Sequence, residues 1–230
     1  MMKHTFAAVF VLSALTFCHS AQARFLQSDP IGLKGGPSTY AAVSNSPLMR
    51  IDPLGLRDIF IGGAGDSSSQ IVGSYYAQYH QSHPDSNYFT WDQQDQILAL
   101  VNSLNKNEPI NLIGHSYGGD TAARVAQKAC RQVDMLITID PVSRFHGHDY
   151  ADIAAHAKLW VDVNGTGGSA FQISNFIAGL GGAWNSGPQG FATSYIGADN
   201  VHADFNGMMN AVGPGARSPI QVLTGQTNDQ

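Results

Sequence analysis

The sequence predicts an α/β fold in which a mostly parallel sheet is flanked by helices in a single small domain. Short apolar runs alternate with segments of helical periodicity from Arg57 onwards, an arrangement typical of parallel sheets. A Gly-x-Ser-x-Gly motif centred on Ser116 lies between one such run and a helical segment. The 230 residues are enough for one domain with a sizeable core.

Composition narrows the classes of function. The net charge is −5 with no basic cluster, so the sequence predicts no nucleic-acid partner. Only one of the 17 acidic residues, Glu108, is a glutamate, so any catalytic carboxylate that follows Ser116 must be an aspartate. The two cysteines, Cys18 and Cys130, offer no disulfide framework.

Residues 1–23 are predicted to be a secretory signal peptide. Lys3 supplies a weakly basic start, residues 5–17 supply an apolar core, and Ala21-Gln22-Ala23 fits a cleavage site. The apolar run is too short for a stable membrane span. We therefore expect a secreted or periplasmic protein whose mature chain begins at Arg24.

Residues 24–56 differ in character from the rest of the chain. Asp29-Pro30-Ile31-Gly32 and Asp52-Pro53-Leu54-Gly55 bracket a stretch rich in Gly, Pro and Ser. The segment resembles the end of the core of bacterial RHS-repeat proteins, which enclose a C-terminal toxin in a β-shell and release it at paired D-P-x-G motifs. The resemblance implies that residues 57–230 are a former toxin tip. Because no shell repeats precede Asp29 and Asp52, we expect this aspartate pair not to self-cleave.

From Arg57 the periodicity predicts strands and helices in alternation. The predicted strands are residues 58–61, 88–91, 110–113, 135–139 and 159–163. The predicted helices begin near Ile71, Asp92, Asp120 and Asp204. Residues 165–197 are rich in Gly and Ala with weak periodicity, and the polar tail after Gly213 is predicted to fray.

Ser116 requires a base within hydrogen-bonding reach and an acid that orients the base. Asp140 ends the strand after the motif and precedes a rigid proline, so its carboxylate should lie at the same sheet edge as Ser116. Asp162 is the rival acid, although it lies inside a strand rather than at its end. His202 lies late in the chain before the last helix and is the predicted base, whereas His115 is expected to support the turn.

An oxyanion needs two backbone donors. The N–H of Tyr117, directly after the nucleophile, is the first predicted donor. Gly63 or Ala64, in the glycine-rich loop after the first strand, supplies the second. That loop lacks the G-x-G-x-x-G spacing of dinucleotide sites, so no cofactor is predicted.

A second interpretation treats four polar residues as metal ligands. Asp152 and His156 are four positions apart and could share a helical face, with His146 and His148 in the loop before them. Exposed polar residues on a loop explain the same pattern, and the sequence predicts no metal site.

The region after Arg57 resembles small bacterial lipase-like α/β-hydrolases, several of which travel as secreted antibacterial effectors. The residues that carry this resemblance are Gly62–Asp66, Gly114–Asp120, Asp140-Pro141-Val142 and His202. It implies an α/β-hydrolase fold and a serine esterase or lipase with Ser116, Asp140 and His202 as its triad.

The resemblance also shapes the expected substrate and partners. Lipid or phospholipid acyl esters are the expected substrates, with transient contact with a membrane surface and an immunity or secretion protein as partner. Apolar residues after position 170 are predicted to form a flap over the serine: Phe171, Ile173, Phe176, Ile177, Leu180 and Trp184. A peptidase or amidase on the same triad, and a catalytically silent RHS-associated binding module, remain as alternatives.

Overall fold

The computed structural model describes residues 57–143, 147–168, 173–213, 215 and 217–226. The predicted signal peptide and the RHS-like segment lie outside these residues. The described strands form one parallel sheet in the order β2-β1-β3-β4-β5-β6, which confirms the predicted fold class. The strands are β1 (Arg57–Gly62), β2 (Asn87–Thr90), β3 (Ile110–His115), β4 (Val133–Ile139), β5 (Ala157–Gly165) and β6 (Ser194–Ala198).

Helices cover both faces of the sheet, as parallel strands require. In chain order they are α1 (Asp66–Ser69), α2 (Ile71–Ser82), α3 (Gln94–Ser103), α4 (Tyr117–Lys128), α5 (Tyr150–Ala155), α6 (Ile173–Gly181), α7 (Phe205–Met209) and α8 (Pro219–Leu223). Helix α4 packs on β3 and β4 with α3 and α5 beside it, whereas α7 contacts both α2 and α8. Among the described residues, no helix is both long and apolar enough to cross a membrane.

The core consists of the apolar strand residues and the helix faces that cover them. Because parallel strands are buried on both faces, they form continuous hydrophobic runs rather than alternating ones. All six residues of strand β3 are buried, including the polar Asn111 and His115. On the α2 and α7 side the core includes Phe60, Ile113, Phe205 and Met208.

The prediction that the tail after Gly213 frays is wrong for residues 217–226. Helix α8 begins with a capping box in which the side chains of Ser218 and Gln221 each bond the other's backbone. Pro219 occupies the first turn, where its missing N–H costs nothing. Leu223 then buries its side chain in the core, so the helix is fixed by packing as well as by its cap.

Strand order places a topological switch point between β1 and β3. The chain leaves β1 towards β2 on one side and leaves β3 towards β4 on the other, so the loops after these two strands diverge. Ligands of open parallel sheets bind in the crevice that such loops leave. The loop after β1 contains Gly63, and the turn after β3 contains Ser116.

Candidate active site

Ser116 lies at a strained turn between β3 and α4. Its backbone has φ 54° and ψ −125°, a left-handed conformation that costs energy for a residue with a side chain. The turn is held on both sides, since the Ser116 N–H donates to the Ile139 carbonyl at 3.0 Å and the Ser116 carbonyl accepts from Val142 N–H at 3.1 Å. The surrounding backbone therefore imposes the conformation that exposes the hydroxyl.

Two glycines allow the turn to be this tight. A Cβ on Gly114 would lie 2.2 Å from the Gly118 carbonyl oxygen. A Cβ on Gly118 would lie 2.2 Å from the carbonyl oxygen of Ile61 in β1. Real side chains cannot approach backbone atoms so closely, so the motif's glycines are required where α4 crosses the ends of β1 and β3.

Asp140 follows β4 directly and also has a left-handed backbone, with φ 42°. Its N–H donates to the Val163 carbonyl at 2.6 Å, and its Oδ1 accepts from Gly165 N–H at 3.1 Å. Both contacts come from the end of the neighbouring strand β5. They fix the carboxylate so that its second oxygen faces the loop between β6 and α7.

His202 lies in that loop and joins the other two residues in one hydrogen-bonded chain. Its Nδ1 is 2.6 Å from Asp140 Oδ2, and its Nε2 is 3.0 Å from Ser116 Oγ. With a carboxylate facing Nδ1, that nitrogen carries the proton, and Nε2 accepts from the serine hydroxyl. The structure thus brings the predicted nucleophile, base and acid together in the geometry of an activated serine.

His115 supports His202 rather than the turn alone. Its Nε2–H donates to the His202 carbonyl at 2.7 Å, and the two rings lie 4.8 Å apart. Burial, together with the neighbouring His202, lowers the pKa of His115 to about 4. His115 is therefore neutral at physiological pH and acts as a fixed hydrogen-bond donor.

A cavity of about 380 Å³ opens beside the Ser116 hydroxyl. Gly63, Ala64 and Tyr117, the predicted oxyanion residues, line it together with Ser116 and His202. The Gly63 backbone runs directly against the nucleophile, because a Cβ there would lie 2.8 Å from the Ser116 Cβ. The Tyr117 N–H belongs to the first turn of α4, where backbone N–H groups have no partner within the helix.

Apart from Gly65, Asp66 and His115, the rest of the cavity wall combines small, aliphatic and hydroxyl-bearing side chains. These are Ser68, Ser69, Ile71, Val142, Ser174, Ala178 and Ala203. Of the residues predicted to form an apolar flap, Trp184 has a described side chain, and it is buried rather than lining the cavity. Phe171 and the side chains of the other four lie outside the described part of the structure.

Asp162, the rival acid, lies away from the histidine. Its Oδ1 accepts a 2.5 Å hydrogen bond from Thr138 Oγ1, the residue beside it on β4. Its Oδ2 is buried without a hydrogen-bond partner among the described residues. Burial raises the pKa of this carboxyl to about 8, so it is mainly neutral at pH 7 and unsuited to stabilising an imidazolium.

The buried Asp162 should make wild-type stability fall as the pH rises from about 4 to about 8. In this window the unfolded chain has released the proton that the folded chain retains, and stability falls wherever the folded state binds more protons. Asp162→Asn should remove this pH dependence, so its free energy of unfolding should rise relative to that of wild type by on the order of 4 kcal/mol from pH 5 to pH 8. Urea unfolding at several pH values measures how the free energy of unfolding of each protein depends on pH. If this pH dependence is the same in wild type and Asp162→Asn, Asp162 does not titrate in this way.

The residues considered as metal ligands have other partners where they are described. His148 Nε2 is 2.8 Å from Asp120 Oδ1 and 2.9 Å from Ser143 Oγ. His156 Nδ1 is 2.7 Å from the Asp152 carbonyl, one turn earlier in its own segment. His146 lies outside the described residues, and within them no group of three or more His, Cys, Asp or Glu could hold a metal ion.

The sequence gives no indication of Asn175, which contacts the loop that contains His202. Its Oδ1 accepts from the His202 N–H at 2.9 Å, and its Nδ2 donates to the Gly167 carbonyl at 3.0 Å. The residue lies in α6, within a stretch whose weak periodicity predicted no helix. No signal in the sequence marks it, since the contact depends on how α6 packs over the loop.

A family model described as the alpha/beta hydrolase fold matches residues 61–160 of this chain. The match includes Ser116 and Asp140 and ends before His202. The chain is also similar to a solved structure, described as that of a proposed cell surface hydrolase from Lactobacillus plantarum WCFS1. That similarity has a TM-score of 0.47 at 11% sequence identity and covers 75% of this chain and 93% of the other. With the sheet order described above, the family match gives the α/β-hydrolase fold and supports hydrolase activity.

Proposed function

We propose that this protein is a serine hydrolase that cleaves carboxylic esters through an acyl-Ser116 intermediate. The observation that carries the proposal is the hydrogen-bonded chain from Ser116 Oγ through His202 to Asp140, with distances of 3.0 and 2.6 Å. A serine hydroxyl is a weak nucleophile until a base takes its proton, and this chain supplies the base and the carboxylate that supports it.

In the first half of the reaction Ser116 Oγ attacks the carbonyl carbon of the ester, and its proton passes to His202 Nε2. Asp140 stabilises the imidazolium that forms and keeps the ring in the correct tautomer. The negative charge that develops on the carbonyl oxygen is met by the Tyr117 N–H and by the N–H of Gly63 or Ala64. When the intermediate collapses, His202 returns the proton to the departing alcohol.

The second half repeats these roles with water as the nucleophile. His202 Nε2 takes a proton from water as the water oxygen attacks the acyl carbon. When the second intermediate collapses, His202 returns this proton to Ser116 Oγ, which releases the acid and restores the free serine. The cavity beside Ser116 has room for a substrate group, and its aliphatic residues Ile71, Val142 and Ala178 favour an acyl chain. Lipid and phospholipid acyl esters are therefore the proposed substrates.

The predicted signal peptide and the RHS-like segment support a proposal about biological context. A secreted or periplasmic lipase on a former toxin tip would act as an antibacterial effector and would require an immunity protein in the producing cell. Contact with the target would occur at a membrane surface, where acyl esters are found.

A fluorophosphonate probe tests the proposed chemistry directly. We expect the probe to label the wild-type protein at Ser116, with the modified peptide identified by mass spectrometry, and Ser116→Ala to remain unlabelled. A panel of p-nitrophenyl esters of graded chain length, run beside phospholipid vesicles and peptide amides, then separates esterase, phospholipase and amidase activity. If the probe does not label folded wild-type protein, the result would instead support the alternative of a catalytically silent binding module.

A further inference from the structure

Helix α6 contacts both the cavity and the catalytic histidine. Ser174 and Ala178 line the cavity, and Asn175 lies beside Ser174 in the same turn. The Asn175 side chain accepts from the backbone N–H of His202 at 2.9 Å. One short helix therefore forms part of the wall that a substrate would touch and also holds the base that would activate Ser116.

The same side chain reaches a second backbone segment. Asn175 Nδ2 donates to the Gly167 carbonyl at 3.0 Å, and the Gly167 N–H donates to the Asn200 carbonyl at 3.0 Å. Gly167 follows β5 closely, and Gly165 in the same stretch donates its N–H to the Asp140 carboxylate. Asn175 thus links the segment that holds the acid to the loop that holds the base.

His202 is held by its backbone from two sides. His115, at the end of the central strand β3, donates to the His202 carbonyl, whereas Asn175 in α6 accepts from the His202 N–H. The ring itself meets Asp140, Ser116 and the neutral His115 ring. With both peptide groups fixed, the imidazole can change its direction only by side-chain rotation, which the 2.6 Å contact with Asp140 opposes.

We propose that Asn175 is a positioning residue for His202, which aligns Nε2 with Ser116 and couples this alignment to the helix that walls the cavity. The inference rests on the proposed function, since the alignment of an imidazole affects turnover only if His202 serves Ser116 as a base. A displacement of a catalytic group by about 1 Å can cost roughly a hundredfold in rate. Loss of the Asn175 contact should therefore act on kcat more than on KM.

Ester hydrolysis by Asn175→Ala gives the kinetic test. We expect kcat, expressed per site titrated with a fluorophosphonate, to fall about 10- to 100-fold, with KM within about threefold of wild type. Normalising to titrated sites removes any loss caused by misfolded protein. Asn210→Ala is the matched control, because Asn210 Nδ2 also donates to a backbone carbonyl, at 2.8 Å, but lies away from the cavity. Its kcat should equal that of wild type.

Asn175→Asp separates the contact with His202 from the contact with Gly167. The aspartate keeps an oxygen that can accept from His202 N–H and gives up the donor to Gly167. We expect kcat to lie between those of wild type and Asn175→Ala. Equal losses in both variants would assign the effect to the Gly167 contact and overturn positioning through the His202 N–H.

Proton NMR of the full chain provides a readout that needs no turnover. The proton that His202 Nδ1 shares with Asp140 should give a far-downfield resonance in wild type and in Asn210→Ala. In Asn175→Ala we expect this resonance to broaden or disappear, because the ring is no longer held. If wild type hydrolyses no ester, the proposed function fails while this resonance still tests the positioning role. An unchanged resonance together with unchanged kcat per site in Asn175→Ala would refute the role of Asn175.

Discussion

Replacement of Asp140 by asparagine should lower kcat for ester hydrolysis by roughly three to four orders of magnitude while the protein stays folded. The carboxylate accepts from His202 Nδ1 at 2.6 Å and carries the charge that stabilises the imidazolium. An amide carries no charge, and its NH₂ group can donate to Nδ1 and select the tautomer in which Nε2 can no longer act as base. Steady-state kinetics beside circular dichroism measures both parts of the expectation.

Asp162→Asn is the matched control, since it makes the same substitution at a buried aspartate on the next strand. Because Asp162 contacts Thr138 rather than His202, its kcat should stay within about threefold of wild type. Adding Ser116→Ala to Asp140→Asn should reduce activity little beyond Ser116→Ala alone, because the three residues act as a unit. If Asp162→Asn lost most of the wild-type kcat while Asp140→Asn kept it, Asp140 would be misassigned as the acid.

Gly114→Ala should destabilise the protein and abolish labelling by a fluorophosphonate. The new methyl group would lie 2.2 Å from the Gly118 carbonyl oxygen and 2.5 Å from its carbonyl carbon. Both are backbone atoms of the turn that presents Ser116, so relief requires β3 and α4 to separate. We expect a loss of about 3 kcal/mol or more in the free energy of unfolding, measured with urea.

Gly197→Ala tests whether that cost comes from the close approach and not from the loss of a glycine. Gly197 lies in β6, and a Cβ there meets no atom within 4 Å. Stability should change by no more than about 0.5 kcal/mol, with full probe labelling. Similar destabilisation in both variants would contradict the explanation from packing.

The central part of the fold was predictable because its local patterns agree with its tertiary environment. Most residues of β3 and β4 are apolar, as the middle of a parallel sheet requires, and each strand is followed by a residue with a distinctive role. The carboxyl ends of such strands meet at one edge, so the order of the runs along the chain was enough to place Ser116 and Asp140 together. To place His202 beside them, it was enough to expect that the chain returns to this edge of the sheet.

The remaining elements are fixed by contacts that leave little trace in the sequence. Strand β6 is short and lies at the edge of the sheet, where only Ile196 and Ala198 are buried. Helix α6 contains two glycines, Gly179 and Gly181, which lower its intrinsic helix propensity. Asn175 has no sequence signal because its role arises from the way α6 packs against the His202 loop. Position within a strand makes Asp162 the weaker acid candidate, but its neutral state depends on burial that the sequence does not reveal.

The separation of the triad along the chain has a consequence for folding. Ser116 and His202 are 86 positions apart, and strands β4, β5 and β6 lie between them along the chain. Contacts of such separation form late, because the chain must first lose the entropy of a long loop. During synthesis His202 emerges after both Ser116 and Asp140, so a chain that has not completed β6 and the loop after it lacks the hydrogen-bonded chain of these three residues. The reactivity proposed for Ser116 would therefore report a late step of folding rather than the first collapse.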